Sequence, residues 1–200
     1  MVGALRGSAG AALLVGDAAS RVEVGLAEMP GMLYRVTTPG DSGLTPDVTV
    51  QRGVYRLALR PTAGTGPDIV RIILNRRVRW DVRLPAGAGE QRLDLSAGRV
   101  TRVELGPSGL VELSLPRPWG TVPVLLRSGA GTVEMSTPQA TKVRITLPDG
   151  AGVVTTPWTN STDTPAATTL TAPGWARTRD RYTIRLTSGV GSFTVRERDS

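Results

Sequence analysis

Val78-Arg79-Trp80-Asp81-Val82-Arg83-Leu84, Leu93-Asp94-Leu95, Val103-Glu104-Leu105, Val111-Glu112-Leu113-Ser114-Leu115, Val133-Glu134-Met135 and Val143-Arg144-Ile145-Thr146-Leu147 decide the fold of this chain. All lie between Val78 and Thr155, and each alternates apolar with polar residues at the period of a strand with one buried face. Between them recur glycine corners, at Gly87 and Gly89, at Gly109 after Ser108, at Gly129 and Gly131, and at Gly150 and Gly152. The step is about 21 residues, and the same corner returns at Gly189 and Gly191 after an interruption. Such a pattern specifies a fold and names no activity.

Working outward, Val22–Val24, Leu33–Val36, Val48–Val50 and Val54–Arg60 read as further short strands separated by Pro and Gly. Ile69–Leu74 is nearly continuous in apolar residues, which predicts a strand covered on both faces. No window after Ser20 keeps a 3.6-residue period before Gly or Pro interrupts it, so the chain reads as all-β. Residues 1–20 are rich in Ala and Gly and predict a disordered tail or a weak signal-like segment ending at Ala18-Ala19-Ser20. A single domain then spans 21–197, with a loop insertion at 155–181 that breaks the rhythm. No stretch approaches the ~20 apolar residues of a membrane helix.

Composition narrows the chemistry. The 200 residues include no Cys and no His, which removes disulfides, thiol nucleophiles, cysteine or histidine metal sites and histidine bases together. The net charge is +7, and of the 24 basic residues Lys142 is the one lysine. That balance fits either an anionic partner or an arginine-rich composition interleaved with acids, because only Arg76–Arg79 and Arg177–Arg181 cluster.

Two architectures absorb many short strands: a β-solenoid and an antiparallel β-sandwich. A recurring corner once per coil favours the solenoid, since stacked backbones approach closely there and glycine permits both the approach and a positive φ. Outward Asp94, Glu104, Glu112 and Glu134, with Arg83, Arg102, Arg127 and Arg144 near them, predict mixed-charge ladders on its sides.

The run of strand, Gly-x-Gly and strand, with the ending Thr187-Ser188-Gly189-Val190-Gly191-Ser192-Phe193-Thr194-Val195, resembles the bacterial "toastrack" or "putative-adhesin" domains, including the C-terminal domain of LiaF-type envelope-stress proteins. The likeness extends over about Val22–Val195. It implies a right-handed, single-sheet β-solenoid of short coils, acting as a sensing, adhesive or scaffolding module of the bacterial cell envelope. It implies no catalytic residues, and this sequence lacks the membrane helix often found beside such domains.

Candidate sites are few. The Gly-x-Gly corners lead into strands and not helices, which argues against nucleotide binding. Asp81 with Arg79 and Arg83, or Asp94 with Arg92, would be the carboxylates of a polysaccharide-acting enzyme, yet each stands beside an opposite charge as on a solvated strand face. Asn160, Thr162 and Asp163 supply too few oxygens for calcium. Trp80 belongs to the core, and Trp119, between Pro118 and Gly120, covers a coil edge. Trp158 and Trp175, in the insertion, either cap the open end of the solenoid or join Arg177, Arg179 and Arg181 in holding a glycan or polyanion. Arginine strands without stacking aromatics argue against nucleic acid. The sequence therefore predicts a non-catalytic interaction module with no cofactor and no metal. Its partner would be a protein or an anionic envelope polymer, with self-association also open. Its predicted address is the envelope or an extracytoplasmic space, with the cytoplasm as the alternative.

Overall fold

The computed structural model describes residues 1–5, 7, 9–127 and 129–199. Among them are nineteen strands, one short 3-10 turn at Trp175–Arg177 and no α-helix, so none is long and apolar enough to cross a membrane.

The strands form two parallel-rich sheets and not the single sheet that the family resemblance implied. Each coil contributes one strand to the second sheet and the next strand to the first. The seven coils are β2 (Gly10–Val15) with β3 (Ala19–Ala27), β6 (Val54–Pro61) with β7 (Ile69–Asn75), β8 (Arg79–Leu84) with β9 (Ala88–Asp94), β10 (Arg99–Leu105) with β11 (Ser108–Ser114), β12 (Thr121–Leu126) with β13 (Ala130–Pro138), β14 (Lys142–Leu147) with β15 (Ala151–Thr156), and β18 (Arg181–Leu186) with β19 (Val190–Arg198). Pairing between coils is parallel throughout, which rules out the antiparallel sandwich. Antiparallel strands occur at the ends. At one end β4 (Met32–Thr37) and β5 (Leu44–Gln51) cover the two sheets, with β1 (Val2–Ala4) outermost on β4. At the other, β16 (Thr159–Thr164) and β17 (Thr168–Thr171) do so.

Stacking order differs from chain order. The first coil, β2–β3, lies between the coils β6–β7 and β8–β9, and the last, β18–β19, lies between β12–β13 and β14–β15. The chain therefore steps over a vacant level twice, through Arg76–Val78 and through Gln139–Thr141, and its own two ends fill those levels.

This corrects the reading of residues 1–20 as a tail. Leu13 and Val15 are buried in the core, and β2 is hydrogen-bonded on both sides. The short glycine-diluted run that looked weak as a signal is long enough for one strand. The insertion at 155–181 is likewise not a loop but contains the two antiparallel strands β16 and β17. Ile69–Leu74 is covered on one face only: Val70, Ile72 and Leu74 point inward, while Ile73 lies half-exposed beside Gly25.

One continuous core fills the space between the sheets. Parallel stacking places like residues above one another, so that Val82, Val103, Val124, Ile184 and Ile145 form one column and Leu93, Leu113, Met135 and Val195 another. Branched and linear aliphatics of similar volume nest in such columns without voids.

The glycine corners form a column as well. A Cβ built on Gly89, Gly131, Gly191 or Gly152 would come within 2.5–2.7 Å of a carbonyl oxygen in the adjacent coil, and one on Gly109 within 3.2 Å. Close approach, rather than backbone angle, thus demands glycine at this column. Positive φ is confined to Gly87 and Gly150 among the corner glycines, both at +75°. Gly131→Ala would press a methyl group 2.6 Å from the Gly109 carbonyl oxygen. It is expected to cost about 2–3 kcal/mol and to lower Tm by roughly 5–10 °C. At Gly129, whose nearest atom would be an ordinary 3.5 Å away, alanine is expected to leave Tm nearly unchanged. Equal melting of the two variants would contradict the close-packing account.

Candidate functional site: the connector edge

Each coil has two edges. The glycine corners make one, and the other carries the connectors that lead from the first sheet back to the second, at 95–98, 115–120 and 139–141, together with 172–180, which joins β17 to β18 within the second sheet. Most side chains with chemistry to offer elsewhere are already engaged. On the outer face of the first sheet Glu23 meets Arg71 at 2.8 Å, Glu90 meets Arg21 at 2.7 Å, and Arg92 lies between Glu90 and Glu112. On the second, Arg83 grips Asp81 through two nitrogens, and Arg102 and Arg127 both bond Glu104. Asp94 accepts hydrogen bonds from the backbone N–H and the hydroxyl of Ser96. The carboxylates considered for polysaccharide chemistry are thus held by arginine or by a turn. Among the described residues no three acidic groups gather to hold a metal ion.

Glu104 is the least exposed of these ion-paired carboxylates. Burial opposes its ionisation, but the hydrogen bonds and charges of Arg102 and Arg127 outweigh that, and its carboxyl sits below the usual range. A lowered folded-state pKa gives stability that is present above the unfolded value and lost as pH falls through the folded one. Glu104→Gln should therefore be less stable than wild type near neutral pH, and the difference, read by urea unfolding, should shrink as pH falls through the acidic range because only wild type loses the contribution of this carboxylate.

The residues singled out in the insertion separate. Trp175 is buried, its ring held between the guanidinium groups of Arg144 and Arg181 at 3.6 and 3.9 Å, and its Nε1 donates to the Tyr182 carbonyl at 3.0 Å. Arg181 also donates to Thr121 Oγ1 and to the Trp175 carbonyl. Trp158 sits at the β15–β16 turn, partly buried against the core. Trp175 offers no free face, Trp158 is only partly exposed, and of the arginine cluster Arg177 and Arg179 are the exposed members.

The exposed indole is Trp119, at 83% exposure. It belongs to Pro116-Arg117-Pro118-Trp119, in which the prolines are buried and Arg117 and Trp119 face solvent. Two fixed proline φ angles make this a stiff presenting segment. Three bonds from the last coil and the residue before it hold it: Tyr182 Oη donates to the Pro116 carbonyl at 2.8 Å, Arg198 donates to the Leu115 carbonyl, and Asp180 accepts from the Gly120 N–H at 2.6 Å. Burial pushes the Tyr182 phenol well above its ordinary range, so it remains a donor.

Two adjoining grooves flank the segment. One, of about 470 Å³, is lined by Arg99, Arg117, Pro118 and Trp119; the other, of about 610 Å³, by Arg117, Arg179, Gln139 and Arg198. Ser96, Ala97, Arg117, Pro118 and Asp180 belong to both, so the grooves are continuous. Arg198, Asp180 and Asp199 are engaged in the scaffold, by the bonds above and by Gln139. Arg99, Arg117 and Arg179 make no ion pair with any described residue. The sequence offered a signal for this site in the Pro-Arg-Pro-Trp motif, but Trp119 was expected to cover a coil edge.

The molecule is a capped, two-sheet parallel β-solenoid carrying an open cationic groove with one exposed indole. No protein-family model matches the chain, and comparison with curated proteins gives no match. Among solved structures it is similar to a "putative cell adhesion protein" from Clostridium sporogenes, with TM-score 0.69 and 15% identity over 99% of this chain and 98% of that one. That likeness agrees with the fold expected from the toastrack resemblance. A "putative adhesin" from Bacteroides fragilis aligns over 98% of this chain and 96% of its own, at 8% identity and TM-score 0.32, too low to bear on the fold.

Proposed function

We propose that this protein is a rigid, non-catalytic interaction module of the bacterial cell envelope, and that it binds through the connector edge. The observation that carries the reading is the contrast between its surfaces. Elsewhere on the solenoid most acidic side chains are tied to arginines or turns and the other three indoles are buried or partly buried, whereas the connector edge holds Trp119 at 83% exposure on a braced segment, beside Arg99, Arg117 and Arg179, which make no ion pair with any described residue. An indole left in water by a stiff loop is costly surface that a partner would cover. The adhesion-related name of the Clostridium sporogenes protein supports the reading at the level of broad role. Purified protein should be retained on isolated bacterial envelope material, and the double variant Trp119→Ala/Arg117→Gln should pass through with its Tm unchanged. Equal passage of wild type would refute the reading.

A further inference from the structure

We infer that the groove takes a linear anionic glycan, its sugar ring stacked on Trp119 and its charges met by Arg99, Arg117 and Arg179. The inference rests on the proposed binding role of this edge and specifies its ligand.

The geometry begins with the coil repeat. Arg99 opens β10, Arg117 lies in the connector entering β12, and Arg179 lies in the connector entering β18. In the second sheet β10, β12 and β18 are consecutive neighbours. The unpaired cations are therefore supplied one per coil, and coils stack at about 4.8 Å. That spacing is close to one sugar unit of an extended chain, so a polymer bearing one anion per sugar can meet them in succession. Guanidinium groups pair well with carboxylates and phosphates alike.

The indole adds what charge alone does not. Trp119 offers an open aromatic face of the kind that packs against the C–H face of a pyranose ring. A groove open along its length admits a chain and gives no enclosed pocket for a small molecule. Single-stranded nucleic acid is disfavoured because such sites stack successive bases on several aromatics, and here a single indole lines the two grooves.

Titration calorimetry at low salt tests this with four probes: oligogalacturonate, a polymer of hexopyranose units joined by phosphodiesters, neutral galactan and single-stranded DNA. Binding of either anionic glycan is expected, and which one binds identifies the anion as carboxylate or phosphodiester. Trp119→Ala should weaken it at least tenfold, Arg117→Gln about fivefold or more, and Trp119→Phe less than Trp119→Ala. Affinity should fall with added salt. Binding of galactan as tightly as of the charged polymers, tighter binding of DNA, or indifference to Trp119→Ala would each overturn the inference, as would the absence of any binding. Envelope retention that depends on Trp119 while both anionic glycans fail to bind would overturn this inference and leave the binding role standing.

Discussion

Ending the chain at Asp180 is expected to abolish the cooperative fold, not merely to shorten the rod. In a solenoid stacked in chain order, removing the last coil exposes one new end and leaves the rest intact. Here β18–β19 fills the level between β12–β13 and β14–β15. Its loss strips parallel partners from both neighbours and withdraws Tyr182, Ile184, Leu186, Val190, Phe193 and Val195 from the core. Burial of six such side chains is worth roughly 10–15 kcal/mol, as large as the total stability of an ordinary domain. Circular dichroism with urea unfolding would check this. A sharp, native-like transition in the truncated chain would refute the interior placement of the last coil.

Trp80→Ala should produce the largest loss from a single substitution, about 4–5 kcal/mol, or a fall in Tm of roughly 10–20 °C. Trp80 is fully buried, and its Nε1 donates to the Asn75 carbonyl at 3.0 Å. Asn75 in turn donates from its amide to the Met29 and Met32 carbonyls and accepts from the Arg77 N–H. This knot anchors the connector by which the chain steps over its first coil. Alanine would leave a cavity and remove one of the two hydrogen bonds that the Asn75 carbonyl accepts, the other coming from the Val78 N–H at 3.2 Å. Trp80→Phe keeps most of the volume but not the donor, and should cost less, about 1–2 kcal/mol. If phenylalanine proves as damaging as alanine, the hydrogen bond and not the packing dominates; if neither matters, the anchoring account fails.

Much of the scaffold was legible because its determinants are local. Alternation at Val103–Leu105 or Val143–Leu147 fixes which face of a strand is buried, and glycine at one point in each coil marks where backbones meet. The site was not legible in the same way. Trp175 and Trp119 both stand beside Pro or Gly in segments without period, so their neighbourhoods alone cannot say which indole is covered. Trp175 is covered because Arg144 and Arg181 close on its two faces. Trp119 is bare because buried prolines turn it outward.

The sequence by itself determined an all-β chain of stacked coils, the positions of its corners, its aliphatic columns and the absence of histidine and cysteine chemistry. Tertiary structure alone decided that there are two sheets, that the first and last coils are interior, and which tryptophan meets solvent. The physical reason is range. Strand period and glycine spacing act within one coil, whereas the bonds that brace Pro116–Trp119 join residues 60 to 83 positions apart, brought together only when the end of the chain fills a level left open in the stack.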